Sequence, residues 1–514
     1  MSRIAQNAVV IMMATLLSRV LGFLRETILA NFYGTSMVAD VFVLTLNIPG
    51  LIISIVGSVI YMMYIPMYYD TKDRLGEEES LKFTNNILNI SSVFSIIVAV
   101  LGIIFAGEII KIFAIGFEGE KFDLAVKFLR IMMFGVLFLS LNKVQSSFLQ
   151  VKDSYLPASM VGVVYNIIII ISIFISVKYD SYYLAIGALL GLLGQVLLLI
   201  PYMHKNGYRY IPYINLKDES IIKMIKLSMP MMVGVAMSQL NVYVDKALAS
   251  TLGDGRLSAL NYASRLNDFV VALFVTSLIT VIYPKLSKFA NDEDKRSFKQ
   301  IIVKSSNCIL LVVVPITFGA IILSEPIVRI LLERGSFSAE STIMTSNALR
   351  LYAIGVIGYA VKEILSRGFY SLGDTKTPMI NSSISVIINI ILDLLFIKPF
   401  SYMGLAMATS ISYMVTVVLM FFSLRKKVGS FNGKVVVTTF TKSLIASIIM
   451  SIVVVLSYNG LTSILGLSFI GEGISITASI LLGALIYVVI IKLLKVEEMN
   501  LLESSVKNFF GKQW

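Results

Sequence analysis

The sequence predicts an all-α polytopic membrane protein with 14 transmembrane helices. Of its 514 residues, 57% are hydrophobic and only 14% are charged, which is typical of membrane proteins rather than soluble domains. Hydrophobic runs long enough to cross a bilayer core of about 30 Å as helices recur along the whole chain. An internal repeat divides the first twelve of these helices into two six-helix lobes, which are related by a pseudo-two-fold axis along the membrane normal. Two more helices follow the second lobe.

Hydropathy places fourteen helical runs along the chain. The first run contains arginines and has no small-residue cleavage site, so we interpret it as a membrane helix rather than a signal peptide. The predicted spans are 8–32, 41–67, 84–107, 126–149, 156–177, 183–203, 221–251, 259–284, 300–323, 343–370, 377–397, 402–424, 435–457 and 469–494.

The net charge of +12 lies mainly in one set of loops between these spans. Basic residues cluster, for example, between Lys285 and Lys299 and between Arg425 and Lys427. Because cytoplasmic loops of membrane proteins are enriched in Lys and Arg, this bias predicts that both termini are cytoplasmic. The same location argues against nucleic acid as a partner.

Two rare residue types exclude several classes of site. The only cysteine is Cys308, which rules out internal disulfides and multi-cysteine metal sites. The only histidine is His204, in a basic loop, which rules out zinc motifs with two histidines and argues against a Ser-His-Asp triad. These counts exclude particular sites only; separately, we expect no enzymatic activity, because the function expected below needs no covalent chemistry.

A shift of roughly 220 residues aligns polar landmarks in the two halves of the chain, as expected for an internal repeat. We expect lobes at 1–215 and 216–430, with 431–514 holding spans 13 and 14 and a cytoplasmic C-terminus. The alternative is chance similarity between apolar segments. The aligned landmarks are Arg25-Glu26 with Asp245-Lys246, Pro66 with Pro284, and Asp153 and Pro157 with Asp374 and Pro378.

Charged residues inside four of the spans predict a site for an anion. Each one costs roughly 2.5 to 3.5 kcal/mol near the bilayer centre, so such residues usually face a protein interior or a watery cavity. A guanidinium presents a planar fork of donors that suits phosphate, and several of them together suit a diphosphate. In the alternative, the arginines simply pair with the acids. The residues are Arg19, Arg25, Glu26 and Asp40 on spans 1 and 2 of the first lobe, and Asp245, Lys246, Arg265 and Asp268 on spans 7 and 8 of the second.

A second polar cluster is built from oxygen donors. Asn389 and Asp393 share one face of span 11, and Thr409 on span 12 and Asp245 on span 7 could complete the set. Carboxylate, amide and hydroxyl oxygens suit sodium or a proton relay better than a transition metal. The alternative is hydrogen bonding between helices, for which small polar residues are common in membranes.

Three motifs resemble the MurJ-type lipid II flippases of the multidrug/oligosaccharidyl-lipid/polysaccharide exporter superfamily. They are Ser18-Arg19-Val20-Leu21-Gly22-Phe23-Leu24-Arg25-Glu26, Leu332-Glu333-Arg334-Gly335-Ser336-Phe337-Ser338-Ala339-Glu340 and Arg367-Gly368-Phe369-Tyr370-Ser371-Leu372-Gly373-Asp374-Thr375-Lys376-Thr377-Pro378. The resemblance implies fourteen helices, two lobes around a cationic cavity, and a hydrophobic groove at spans 13 and 14 for a lipid tail.

The resemblance also implies roles for individual residues. It assigns function to Arg19, Arg25, Asp40 and Arg265, and it maps a sodium site onto Asp245, Asn389, Asp393, Thr409 and the carbonyl group of Leu405. The chain departs from the family where members commonly carry an arginine pair after the proline of span 2, because residues 49–54 hold no cation. A family lysine just before that proline is replaced by Asn47.

From these observations we expect a monomeric lipid II flippase of the bacterial cytoplasmic membrane that works by alternating access. Its partners would be lipid II and membrane lipids; no cofactor is required beyond a possible sodium ion. The first rival is a flippase for another polyprenyl-linked oligosaccharide. The second is a drug/cation antiporter, which should have an acidic, aromatic cavity. A non-transporting membrane scaffold would not need arginines within the bilayer.

Overall fold

Every regular element of the computed structural model is helical within the residues that it describes, 3–290, 295–496 and 498–499. A 3₁₀ turn, Ser250–Leu252, follows α9, and a π-helical stretch, Val271–Thr276, joins α10 to α11. The α-helices are α1 Arg3–Tyr33, α2 Met37–Leu75, α3 Glu77–Ile104, α4 Ala106–Phe113, α5 Gly119–Met133, α6 Gly135–Val151, α7 Tyr155–Lys178, α8 Tyr182–Lys205, α9 Glu219–Ala249, α10 Arg256–Val270, α11 Ser277–Phe289, α12 Arg296–Ile322, α13 Ser324–Leu332, α14 Ala339–Ser371, α15 Lys376–Phe400, α16 Tyr402–Val428, α17 Gly433–Leu465 and α18 Phe469–Leu493.

The all-helical membrane class predicted from the sequence is confirmed. Within the described ranges, 11 helical stretches are long and apolar enough to cross a membrane. The three other predicted spans correspond to α1, α9 and α14, which are long enough but carry charges such as Arg25, Asp245 and Glu363 within their apolar lengths. The number 14 stays a prediction.

Two short helices were not predicted, α4 with 8 residues and α13 with 9. Hydropathy over a span-length window cannot detect an element this short. Both have an acid in the first turn and a cation in the last, Glu108 and Lys111 in α4 and Glu325 and Arg329 in α13. This order of charges stabilises a helix because it opposes the helix dipole.

The helices pack into two compact units. The first contains residues up to Ser258 together with Arg334–Phe337, and the second contains Ala259–Glu333 and the chain from Ser338. In the first unit α1 packs on α7, α2 packs on α6 and α9, and α7 packs on α8. The lobe boundary predicted at 215/216 refers to the internal repeat. These packing units do not test it, so it stays a prediction.

The first unit has its largest aromatic core where α2, α3 and α6 meet. Tyr64, Tyr68, Phe83 and Phe148 are all fully buried there. The Tyr64 hydroxyl is 2.7 Å from Thr84 Oγ1, so the polar tip of this buried ring has a hydrogen-bond partner. The core holds α2 and α6 at a fixed spacing, which matters for the polar side chains that they carry.

The second unit has two apolar cores that share α12. One joins α12 to α11, α14 and α16 around residues such as Phe298 and Phe369. The other joins α12 to α17 and α18 around Leu311, Met450 and Tyr487. The Tyr487 hydroxyl donates to the Leu311 carbonyl at 2.8 Å. Helices α17 and α18 are thus attached to the unit through α12.

The order of elements is the same in both units. A long helix and a short helix, α3 and α4 or α12 and α13, are followed by three spans in each unit. These spans are α5 with α6, α7 and α8 in the first unit, and α14, α15 and α16 in the second. The turns before α7 and α15 have matching hydrogen bonds, from Ser154 N to Leu149 O at 2.8 Å and from Asp374 N to Phe369 O at 2.9 Å. These pairs are displaced by the same interval, which supports the repeat read from the sequence.

The second of these turns is fixed by a carboxylate. Asp374 accepts hydrogen bonds from the backbone and hydroxyl of Thr377 and from Lys427 Nζ at 2.5 Å. Partial burial alone would raise the pKa of Asp374, but these hydrogen bonds favour the ionised form and lower it to about 2. The turn between α14 and α15 is therefore held by a charged group at neutral pH.

Candidate functional site

The buried charge of α1 is an ion pair between neighbouring residues. Arg25 Nη2 donates to Glu26 Oε1 at 2.5 Å, and the two side chains are only 10% and 8% exposed. The guanidinium carbon of Arg25 also lies 5.8 Å from the centre of the Tyr165 ring on α7, within range of a cation–π attraction. Buried ions need such partners because desolvation is costly. In this structure Arg25 is held by its own helix and by α7.

Arg19 lies on a different side of α1. The side that packs on α7 contains Ser18, whose carbonyl accepts a 3.1 Å hydrogen bond from Asn166 Nδ2, and Gly22, where a Cβ would be 3.5 Å from the same nitrogen. Arg19 is exposed, and its guanidinium forms no hydrogen bond or ion pair with the residues that the structure describes. Although Arg19 and Glu26 share a helical face by spacing, Glu26 pairs with Arg25. Arg19 is therefore a cation that a ligand can reach.

Asp40 is fully buried and accepts three hydrogen bonds. The donors are Lys121 Nζ and the backbone N–H groups of Gly255 and Ser258, each at 2.8 Å. The backbone donors lie around the start of α10, where N–H groups without helical partners and the helix dipole favour a carboxylate. The alternative in which the arginines pair with the acids does not hold for Asp40, because its ionic partner is a lysine from the start of α5.

Lys121 was not identified from the sequence. The predicted span began at 126, which left Lys121 in a loop, whereas α5 begins at Gly119 and encloses the lysine. Its Nζ also contacts Asp254 at 2.7 Å and lies 4.4 Å from the centre of the Phe117 ring. No sequence signal marked this contact, because it depends on where three separate segments meet.

Backbone segments approach each other closely near Asp40. A Cβ at Gly255 would lie 2.5 Å from the Thr35 carbonyl oxygen, and a Cβ at Gly116 would lie 2.4 Å from the Ser250 carbonyl oxygen. Gly255 also has a φ of +82°, a conformation that other residues rarely adopt. These contacts require glycine, so this end of the first unit is closed by main-chain packing around the Asp40 carboxylate.

Arg265 and Asp268 lie on α10 in the second unit. The alternative that they pair is confirmed, but weakly: the closest atoms are 3.9 Å apart and the side chains are 43% and 60% exposed. Ion pairs this exposed contribute little to stability. Arg265, like Arg19, therefore presents its guanidinium on an accessible face.

The predicted sodium ligands lie in both units. Asn389 and Asp393 are buried on α15, which packs on α16, where the Thr409 hydroxyl donates to the Leu405 carbonyl at 3.0 Å. Neither amide atom of Asn389 has a hydrogen-bond partner among the described residues. An amide and a carboxylate buried together on one helix suit a hard cation, so the residues of α15 and α16 fit sodium. Asp245 belongs to α9 in the first unit.

An apolar cavity of about 460 Å³ lies among α12, α17 and α18 in the second unit. Its wall includes Pro315 and Gly319 of α12, Val454 of α17 and Val488 of α18. A Cβ at Gly319 would meet no heavy atom within 4 Å, so this glycine borders open space. The cavity can hold hydrocarbon but offers almost nothing to a polar ligand. The resemblance implied a groove at α17 and α18 and did not include the wall that α12 forms.

The chain matches the sequence model of the family described as lipid II flippase MurJ over residues 29–471. A probable lipid II flippase MurJ of Vibrio cholerae is 28% identical over 435 residues, covering 82% of each chain. One from Buchnera aphidicola subsp. Baizongia pistaciae is 28% identical over 424 residues, covering 81% of this chain and 83% of the relative. The lipid II flippase MurJ of Burkholderia cenocepacia is 28% identical over 426 residues, with coverage of 80% and 82%.

Solved structures agree with the sequence comparison. A lipid II flippase MurJ in an inward closed conformation superimposes with a TM-score of 0.81 at 28% identity, covering 95% of this chain and 98% of that one. An inward-facing multidrug resistance MATE family transporter gives a TM-score of 0.65 at 15% identity, with coverage of 82% and 98%. At that identity the second match shows a shared fold only.

The contacts of Asp40 predict that removing this carboxylate destabilises the protein more than removing Asp254, the other acid that contacts Lys121. Asp40→Ala removes the acceptor from a buried lysine and two backbone donors, so we expect the free energy of unfolding to fall by about 3 kcal/mol or more. Asp254→Ala is the matched control. It removes the other carboxylate that contacts Lys121, and the Asp254 side chain is 64% exposed. We expect that control to cost about 1 kcal/mol or less.

Thermal or denaturant unfolding of the purified variants measures the difference. Equal losses for Asp40→Ala and Asp254→Ala would show that Asp40 is not the main partner of Lys121.

Proposed function

This chain belongs to the lipid II flippase MurJ family, and we propose that it moves lipid II from the inner to the outer leaflet of the bacterial cytoplasmic membrane. The family match over residues 29–471 carries the proposal. The geometry adds two surfaces of opposite chemistry, accessible guanidinium groups on apolar helices and a cavity that accepts hydrocarbon. A lipid with a charged head group needs both.

The arginines would bind the diphosphate of the head group. Arg19 and Arg265 are exposed, so a ligand can reach both guanidinium groups, whose planar donors suit phosphate oxygens. Arg25 is engaged by Glu26, and it would join the ligand only by exchanging that carboxylate for a phosphate. We assign Glu26, Asp40 and Asp268 to positioning, through the contacts that each of them makes with a cation.

The undecaprenyl tail would lie against α12, α17 and α18. Their cavity is lined by apolar side chains such as Val454 and Val488. A tail held there avoids water while the head group crosses the membrane, so the polar and apolar parts of the lipid follow separate surfaces. No covalent bond is made or broken in this process, and the chain acts as a transporter.

Transport would follow alternating access in a monomer with 14 spans and both termini in the cytoplasm. The repeat supports two lobes of six helices, and parallel repeats of this kind place the substrate between the lobes. MATE transporters of the same fold have been solved in inward-facing and outward-facing conformations. Rocking of the lobes would expose the head group first to one side of the membrane and then to the other.

Sodium would bias this cycle. Asn389 and Asp393, with the Thr409 hydroxyl and Leu405 carbonyl, would hold the ion. A bound cation would neutralise the buried Asp393 carboxylate. Moving one charge through the full potential supplies about 2.3 kcal/mol per 100 mV, which is enough to drive a conformational equilibrium.

The runner-up is a flippase for another polyprenyl-linked oligosaccharide. It would use the same arginines, since the diphosphate is common to these lipids. One observation favours this alternative. Between Asp40 and Lys72, α2 carries no lysine or arginine, so fewer cations are available to the head group than the resemblance implied. Transport of lipid II measured against other polyprenyl-linked glycans in the same proteoliposomes separates the two.

Removing an accessible arginine should slow transport. We expect Arg19→Ala and Arg265→Ala each to lower the rate of lipid II flipping in proteoliposomes by about tenfold or more, the value of one charge-assisted hydrogen bond. Arg130→Ala is the control, because Arg130 is an exposed residue of α5. If both variants, at normal expression, flip lipid II and support cells depleted of their own flippase as well as wild type, the diphosphate assignment is wrong.

Filling the apolar cavity should also impair transport. A Cβ at Gly319 meets no heavy atom within 4 Å, so Gly319→Leu directs its side chain into the open cavity. We expect a folded protein whose affinity for lipid II falls several-fold while its affinity for a soluble head-group analogue is unchanged. Gly460→Leu on α17 is the control, since a Cβ there also meets nothing within 4 Å but the residue lies outside the cavity wall. Equal lipid II affinity in the two variants would rule out the cavity as the tail site.

Removal of sodium tests the ion assignment. We expect wild-type transport to slow when sodium is replaced by a large organic cation, and Asp393→Asn to lose this dependence because the carboxylate no longer needs neutralising. The measurement is the flipping rate at several sodium concentrations with the membrane potential clamped. The assignment is overturned if wild type and Asp393→Asn are both indifferent to sodium and equally fast.

A further inference from the structure

One face of α6 is polar although the helix is part of an apolar span. Asn142, Lys143, Ser146 and Gln150 follow one another at the spacing that places residues on the same side of a helix. All four are partly exposed, whereas Val144 and its neighbours on the other side are buried in the core of the first unit. A lysine and two amides facing lipid tails would be costly. This face is therefore suited to line a water-accessible space.

Lys143 approaches α2 at a position that supplies no cation of its own. A Cβ at Gly57 would lie 3.7 Å from Lys143 Cγ, so the lysine stem runs along the side of the glycine. Helix α2 packs on α6 and has no lysine or arginine between Asp40 and Lys72. Lys143 therefore places the positive charge at this level of the pair of helices.

The level of Lys143 can be compared with that of Arg19. At 1.5 Å per residue, Gly57 lies about 30 Å along α2 from Met37, and Arg19 lies about 21 Å along α1 from Tyr33. Tyr33 and Met37 flank the short turn that joins the two helices. Counted along the two helices from this turn, Gly57, beside Lys143, is thus about 9 Å farther than Arg19.

Asn142 adds a donor beside Lys143. Its amide nitrogen is buried and has no hydrogen-bond partner within the described part of the chain. A buried donor that lacks an acceptor destabilises the protein, and an anionic oxygen bound there would recover that free energy. A primary ammonium and an amide N–H on one helical face form a small site for phosphate or carboxylate oxygens.

We propose that Lys143, assisted by Asn142, binds anionic oxygens of the transported head group at a level of the path farther from the Asp40 end than Arg19. This assignment rests on the proposed flippase function and adds to it a second binding position that no arginine supplies. The anionic oxygens come from the diphosphate or from the peptide carboxylates of lipid II. A lysine that only stabilises the contact between α2 and α6 would bind neither.

Thiol labelling tests whether the position faces water and ligand. In a Cys308→Ala background, which removes the only native cysteine, we expect Lys143→Cys in lipid nanodiscs to react with a membrane-impermeant charged thiol reagent. Undecaprenyl diphosphate or lipid II should slow that reaction. Ile171→Cys is the control, an exposed position on the apolar helix α7, and should react slowly with or without ligand. A Lys143→Cys thiol that is unreactive, or whose labelling is insensitive to both ligands, overturns the proposal.

Charge variants test the binding itself. We expect Lys143→Met to weaken binding of lipid II by about tenfold, and Lys143→Arg to retain most of it, because the ammonium contributes one charge-assisted hydrogen bond. Lys111→Met, at an exposed lysine of α4, is the control and should bind like wild type. A parallel loss with undecaprenyl diphosphate identifies the phosphate oxygens, and a loss confined to lipid II identifies the carboxylates.

The flippase function and the assignment of Lys143 are contradicted by different results. If wild type neither binds nor flips lipid II, the flippase function is wrong. If wild type transports normally and folded Lys143→Met binds both ligands like wild type, only the assignment of Lys143 is wrong. If Lys143→Met does not fold, the labelling of Lys143→Cys decides.

Discussion

Every charged side chain in these apolar helices needs a partner or access to water, and this constraint explains where the chain places its charges. Arg25 is buried and is satisfied by Glu26. Asp40 is buried and is satisfied by Lys121 and two backbone N–H groups. Arg19 is exposed. The buried charges therefore hold helices in place, and the exposed ones are available to a ligand.

The fold was largely predictable because hydropathy and length act locally. A run of about 20 apolar residues must form its own backbone hydrogen bonds in a bilayer, whatever it packs against. The same reasoning fails for α4 and α13, which are too short to span. It also misplaced the start of the fourth span, because α5 begins with polar residues such as Lys121 that become buried only through their tertiary contacts.

The site was predictable in composition but not in pairing. The sequence identified Arg19, Arg25 and Asp40 as unusual because each lies in or beside an apolar span. It could not show that Arg25 would pair with its neighbour while Arg19 stayed exposed, because that depends on which side of α1 meets α7. It likewise gave no reason to select Lys143, whose significance comes from its contact with Gly57 on another helix.

The fold alone does not decide what is carried. A MATE transporter shares this architecture at 15% identity, and one fold can host several functions. An antiporter for organic cations needs acids that a ligand can reach. Here Glu26 and Asp40 are buried and engaged, and the accessible Asp268 lies beside Arg265. Among the residues predicted for the anion site, the exposed ones are Arg19, Arg265 and Asp268. The accessible charge of this set is net positive, which favours an anionic head group over a cationic drug.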